Sequence, residues 1–205
     1  MIKEKYSSDT ENRILQAAKK VFIRNGMSGS RMQNIANEAG INKALLHYYF
    51  RSKEKLFDAV FRYAFFKFVP KVEKILNSEK SLFEKIEIIA DQYITALMKN
   101  QFIPLFVLHE INRNPKRLYE LMQQVGLNPS VLAEQIQQEI KNGKIINVSP
   151  VQLIVNLLAL CVFPVAARPL LQRVFFENNQ KLYKQFLESR KKEVPQFVIN
   201  SIKAK

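Results

Sequence analysis

The chain has 205 residues, enough for one large or two small domains with a sizeable core. Thirty-two basic against eighteen acidic residues leave a formal charge of +14, which points to a polyanionic partner, nucleic acid ahead of an anionic membrane surface. Five glycines, no tryptophan and 47% apolar residues favour helices over a β-rich fold, and the single cysteine, Cys161, excludes an intramolecular disulfide and fits a reducing cytosol.

The N-terminus lacks the apolar core of a secretory signal. The most apolar stretch, 157–167, is well short of the roughly 18 residues a spanning helix needs. A soluble, cytoplasmic protein with no membrane partner is expected.

A charged tail runs to about Ser7, and Ser8 with Glu11 has capping-box spacing. Ile14, Leu15, Ala18, Val21 and Phe22 then recur at helical spacing until Asn25-Gly26, so a first helix is expected over about 9–25. Lys19, Lys20 and Arg24 fall on its polar side and read as a solvated face.

The segment SRMQNIANEAGINKALLHYYFRSK, 30–53, organises the rest. Met32, Ile35, Ala36 and Ala39 share one face of a helix over about 31–39. Gly40 stands where a helix end commonly takes a left-handed residue, and Asn42 where a side chain can cap the next helix, about 43–50. There Leu46, Tyr49 and Phe50 face inward, leaving Lys43, Ala44, Leu45, His47 and Tyr48 outside. Helix, tight turn and short helix make a helix-turn-helix, whose second helix enters the DNA major groove.

On these residues the chain resembles the tetracycline-repressor (TetR) family of bacterial transcription regulators. The family pattern Ile-Ala-x-x-Ala-Gly-Val-Ser-Lys, then an aromatic run ending in Phe and a Lys-rich helix start, is similar to IANEAGINKALLHYYFRSKEKLF here. The likeness covers Thr10 to about Phe61. Ser30 stands where the family usually has Thr and Asn42 where Ser is common, both keeping capping chemistry. Leu45 replaces a residue that is often small or polar, which bears on the base read. By resemblance Ser30, His47 and Lys53 match positions that touch phosphates, with Arg31 and Gln33 beside them. Lys43 can donate to guanine O6/N7, while Ala44 and Leu45 suit a thymine methyl, with Tyr48 on the same side.

Ser52 can cap a helix starting at Lys53, a ready phosphate site, which runs to about Val69 before Pro70 bends or ends it. A rigid connector of this kind can pass a body movement to the reading head. The expected division is a DNA-binding domain over 1–55 and a helical effector-binding and dimerisation domain over 56–205, an all-α architecture throughout. Further helices are expected over about Ser81–Asn100, Phe102–Asn112 and Pro115–Gln124. Asn128-Pro129 opens one that ends at Asn142-Gly143, and Ser149-Pro150 opens the most apolar one, through about Ala167. Arg168 is placed to cap its C-terminus. Two last elements are read over about Asn178–Ser189 and Pro195–Ala204.

The run 153–167 is apolar almost all round and is expected to be buried on every side. Paired with the last helix, it suits a two-fold interface, and family members dimerise through their last helices. A helix-turn-helix reading a near-palindromic duplex needs that symmetry. The family also implies a small-molecule effector, here a largely apolar one, for which Tyr93, Phe106, His109, Asn156 and Phe163 are candidate contacts. Each taken singly also fits plain core packing. No spacing of metal ligands, phosphate loop or nucleophile motif points to an enzyme, a metal or a cofactor. The expected activity is that of a homodimeric repressor released by its effector, with a ligand-independent or protein-responsive regulator as the alternative.

Overall fold

The computed structural model describes residues 2–113 and 115–204, with side chains from Asp9 onward except those at 106, 109, 110, 113 and 117. Its elements are helices: α1 (Ile2–Gly29), α2 (Met32–Glu38), α3 (Lys43–Tyr49), α4 (Lys53–Leu76), α5 (Leu82–Lys99), α6 (Ile103–Arg113), α7 (Pro115–Gln124), α8 (Ser130–Lys141), α9 (Pro150–Ala166), α10 (Arg168–Phe176) and α11 (Gln180–Ile202). The all-α expectation holds. Outside the helices, one antiparallel pairing joins Ile145 to Lys203, with the Ile146 N–H donating to the Ile202 carbonyl at 2.8 Å.

The chain divides into two compact units, Met1–Lys67 and Phe68–Lys205. The division falls within α4, after Lys67 and not after Lys55. Leu56, Phe57, Val60 and Phe61 explain why: all are buried, and the Phe57 ring meets Phe22 of α1 edge-on at 4.8 Å. The first half of α4 therefore supplies apolar surface that helps hold the two seven-residue helices, which are too short to be stable alone.

In the head, α1 begins at Ile2, so Ser8 lies inside the helix and not at its cap. Gly26 breaks it as expected, with φ 67 and ψ 175, a conformation that penalises any residue bearing a Cβ. Ile14, Ala18, Val21 and Phe22 form the floor under Ile35, Ala36 and Leu46. Lys20 and Arg24 do more than face solvent, since both reach Glu38 of α2, at 3.2 and 3.9 Å.

The body core joins α5, α8, α9 and α11 through Ile86, Ile89, Ala90, Ile136, Leu157 and Val198. Three proline expectations need correction. Pro70, expected to bend or end α4, does not end it, because Ile75 and Leu76 beyond it enter the body core and offset the missing N–H. Pro195 lies within one continuous α11, where it is itself buried, and not at the start of a separate helix. Pro129 occupies the cap position of α8, one residue earlier than its first turn, while Asn128 Oδ1 still accepts from the Ser130 N–H at 3.0 Å.

One further expectation fails at α10, and α9 is covered only in part by its own chain. Ala167 ends α9 and Arg168 opens α10, a helix the sequence reading missed, so Arg168 is no C-terminal cap. Nor is α9 buried all round: Val151, Val155, Leu158 and Phe163 are exposed in the single chain.

Candidate nucleic-acid interface

Two helix ends set the reading element. After α2, the Ile41 N–H donates to the Ala36 carbonyl at 3.0 Å and the Gly40 N–H to that of Asn37 at 3.1 Å. This pair of bonds requires a left-handed residue after the cap, and Gly40 supplies it at φ 62. Two residues on, Asn42 Oδ1 accepts from the Leu45 N–H at 2.7 Å, so α3 starts at a fixed point.

A seven-residue helix has almost no stability of its own, and packing must hold it. Leu46 does so, with no exposed surface, and Phe50 closes the far end, buried as well. Tyr49 is half-buried beside them, its ring 5.5 Å from Tyr48 and 6.5 Å from Phe50. With Leu46 fixed inward, the 3.6-residue period turns Lys43, Ala44, Leu45, His47 and Tyr48 outward, and all five are exposed. Leu45 is 37% and Tyr48 81% exposed, so neither is consumed by the core.

The flanking residues divide. Arg31, at the cap position of α2, and Gln33 are exposed, the latter donating from Nε2 to Asn37 Oδ1 at 2.9 Å. Lys53 is half-buried at the first residue of α4, where Ser52 Oγ accepts from the Lys55 N–H at 3.2 Å. His47 Nδ1 lies 3.4 Å from the Arg51 carbonyl. Ser30 differs from the expectation of an outward phosphate contact. It is 2% exposed, and its hydroxyl donates to the Gly26 carbonyl at 2.5 Å, tying the turn between α1 and α2.

The candidate effector residues are not brought to one place. Tyr93 stacks on Phe68 at 5.6 Å, and burial raises its hydroxyl from 10.0 to about 12. Asn156 and Phe163 do meet, in an open, largely apolar cavity of about 690 Å³ between α9, α10 and α11. Phe106 and His109 lie outside the described side chains. Arg190 was not picked out from sequence, yet it lines that cavity. Its Nη2 donates to the Leu160 carbonyl at 2.6 Å, its guanidinium lies over the Phe186 ring at 5.5 Å, and burial lowers its pKa.

Residues 14–60 match the model of bacterial regulatory proteins of the tetR family. The HTH-type transcriptional repressor NicS of Pseudomonas putida is 33% identical over 97 residues, 45% of this chain and 46% of that protein. The chain thus spans about half the length of that curated relative. The fatty acid metabolism regulator protein of Bacillus subtilis is 23% identical over 136 residues, covering 63% and 70% of the two chains. Among solved structures, the transcriptional regulator FadR from Bacillus subtilis in complex with stearoyl-CoA has the same fold. Its TM-score is 0.63 at 16% identity, covering 91% of this chain and 96% of that one. The match to the tetR family of bacterial regulatory proteins thus lies in residues 14–60, which carry the helix-turn-helix.

Proposed function

We propose that the protein is a homodimeric, sequence-specific DNA-binding repressor, released from its operator by a small, largely apolar effector. The observation that carries the DNA reading is the surface of α3. Five side chains of mixed chemistry stand exposed on a helix fixed by Asn42 at one end and by Leu46 and Phe50 beneath. Positive charge at Arg31 and Lys53 flanks them, as phosphate contacts around a base-reading helix require.

Dimerisation is supported by the apolar residues left open on α9, Val151, Val155, Leu158 and Phe163, together with Leu182 and Phe197 of α11. Val151, Val155 and Leu158 fall on one side of α9 at helical spacing, and soluble proteins seldom leave a large apolar face uncovered. A second copy related by two-fold symmetry covers both faces at once.

The effector part of the proposal draws on the cavity at Asn156 and Phe163 and on the stearoyl-CoA carried by the similar FadR structure. One observation favours the ligand-independent alternative. The same cavity opens on the face that carries exposed Phe163 and Phe197, so a second copy can fill it.

Selection of bound sequences from a random duplex pool, with sedimentation of the free protein, tests the first part. A near-palindromic site and a dimer are expected; a monomer that binds every duplex equally overturns the reading. Titrating the operator complex with a long-chain acyl-CoA then separates the two versions. An effector must weaken DNA binding, and DNA must weaken its binding by the same factor. No change in operator affinity favours the ligand-independent regulator.

A further inference from the structure

A second cavity, of about 410 Å³, lies between the C-terminal end of α5, the start of α10 and the first half of α11. Its chemistry is opposite to that of the apolar one. Lys99, Arg168, Lys184 and Lys191 line it, against the single carboxylate of Glu188. Glu188 is committed to Lys191 at 2.6 Å. Lys99, Arg168 and Lys184 have no carboxylate partner among the described residues.

Arg168 is also held in place. Its Nη1 donates to Gln101 Oε1 and its Nε to Gln172 Oε1 at 3.2 Å, so neutral acceptors orient the guanidinium from two sides without cancelling its charge. A half-buried cation held only by neutral acceptors keeps an uncompensated charge, which an anion in the cavity would neutralise. Concave walls concentrate the field of such charges toward the space they enclose. Charged side chains with no other assignment, a fixed fork and a cavity of ligand size coincide here.

We propose that this cavity binds a small, multiply charged anion, a phosphate ester or a polycarboxylate, with Arg168 as the anchoring fork and Lys99 and Lys184 as flanking charges. The site is separate from the apolar cavity and from the reading helix, and it depends on neither having the role proposed above. Its three cations, which have no carboxylate partner among the described residues, call for a ligand of more than one negative charge, and its glutamine amides suit a polar body better than an acyl chain.

Titration of the full-length protein, free of DNA, with pyrophosphate and with citrate tests this by calorimetry at fixed ionic strength. One saturable site per chain is expected for at least one of the two. Arg168→Gln should weaken it about tenfold or more, the scale of a lost charge-assisted bidentate contact. Because Arg168 also bridges to Gln101, Lys184→Gln serves as a second variant at an exposed residue with no side-chain partner among the described residues. It should weaken binding by a smaller factor while leaving the melting temperature unchanged. Absence of a saturable site for both anions overturns the proposal. So does binding unaltered by both variants, which would place the anion at another basic surface such as the head. Operator binding is measured separately, so a negative result here leaves the regulator reading standing.

Discussion

The ammonium nitrogen of Lys85 donates to the main-chain carbonyl of Leu76 at 2.7 Å inside the body, so a basic side chain of α5 closes the C-terminal end of α4. Only 4% of Lys85 is exposed, and burial lowers its pKa, with Glu79 opposing the shift. Helix carbonyls left over at a C-terminus need a donor, and a buried one without a partner is costly. Lys85→Ala should therefore lose about 1–3 kcal/mol in urea unfolding. Lys85→Met, which keeps the apolar stem, should lose less. Equal losses for the two would mean that the hydrogen bond decides and the stem is idle.

Neighbouring leucines on α3 should behave oppositely. Leu46→Ala empties a fully buried site and should cost about 2–5 kcal/mol, unfolding the head. Leu45→Ala should leave stability within about 0.5 kcal/mol. It should instead relax preference at one base pair by about 1–3 kcal/mol if the contact is good. Thermal melting of the free protein, beside a binding profile over single-base operator variants, separates the two. A head that melts on Leu45→Ala with base preference intact would refute the groove assignment.

Lys53→Ala should weaken binding to every duplex alike. One lost phosphate contact reduces the slope of log affinity against log salt by about 0.9. A loss confined to one operator sequence would give Lys53 a base-reading role instead.

Val155→Lys places a charge on the open apolar face of α9, where the side chain is exposed in the single chain. The protomer has no core contact to lose there, so it should keep its helical content. Sedimentation should show the dimer replaced by monomer, and operator binding should weaken with it. A dimer that survives the charge would move the interface elsewhere.

Alkaline pH should destabilise the body through two buried acids. Burial pushes the Cys161 thiol up from 9.0 to about 12 and the Tyr93 hydroxyl from 10.0 to about 12. Above pH 9 the unfolded chain loses these protons first, so it binds fewer than the folded one. The stabilisation is complete below pH 9 and is lost as pH rises toward 12, at about 1.4 kcal/mol per pH unit for each proton. Cys161→Ala should flatten the decline beginning near pH 9, even where its cavity lowers the plateau. An unchanged slope would show that the thiol does not titrate late.

What was legible in the sequence was local. Gly26, Gly40, Asn42, Ser52 and the pair Ser149-Pro150 mark chain breaks whose chemistry acts within a few residues, and each stands where that chemistry is used. The misreadings involve distant partners. Pro70 carries the signal of a helix end and Pro195 that of a helix start, yet burial of Ile75, Leu76 and Val194 keeps both inside helices. Arg168 looked like a cap because Gln101, 67 positions away, cannot be seen as its acceptor from sequence. Ser30 is a local exception: by resemblance it matches a phosphate-contacting position, but its hydroxyl meets the Gly26 carbonyl four residues back. Lys85 gave no sign of burial, since its acceptor belongs to another helix. The sequence offered two covers for α9, its own chain or a second copy, and could not say which of its residues stay open in the single chain.

The place of α11 in the body has a consequence for the order in which the chain can fold as it is made. Val194, Val198 and Ile202 pack with Ile86, Ile89 and Ala90 of α5, and the Ile145–Lys203 pairing fastens the same end. Residues 1–67 can complete their own core while most of the chain is still being synthesised. The apolar side of α5 has no such chance, since it waits for residues more than a hundred positions downstream. At about 5–20 residues per second, that interval is roughly 5–20 s on the ribosome. Throughout it a sticky helical face is exposed beside a finished, positively charged head, which makes this stretch of synthesis the period of greatest exposure to aggregation and of greatest use for a chaperone.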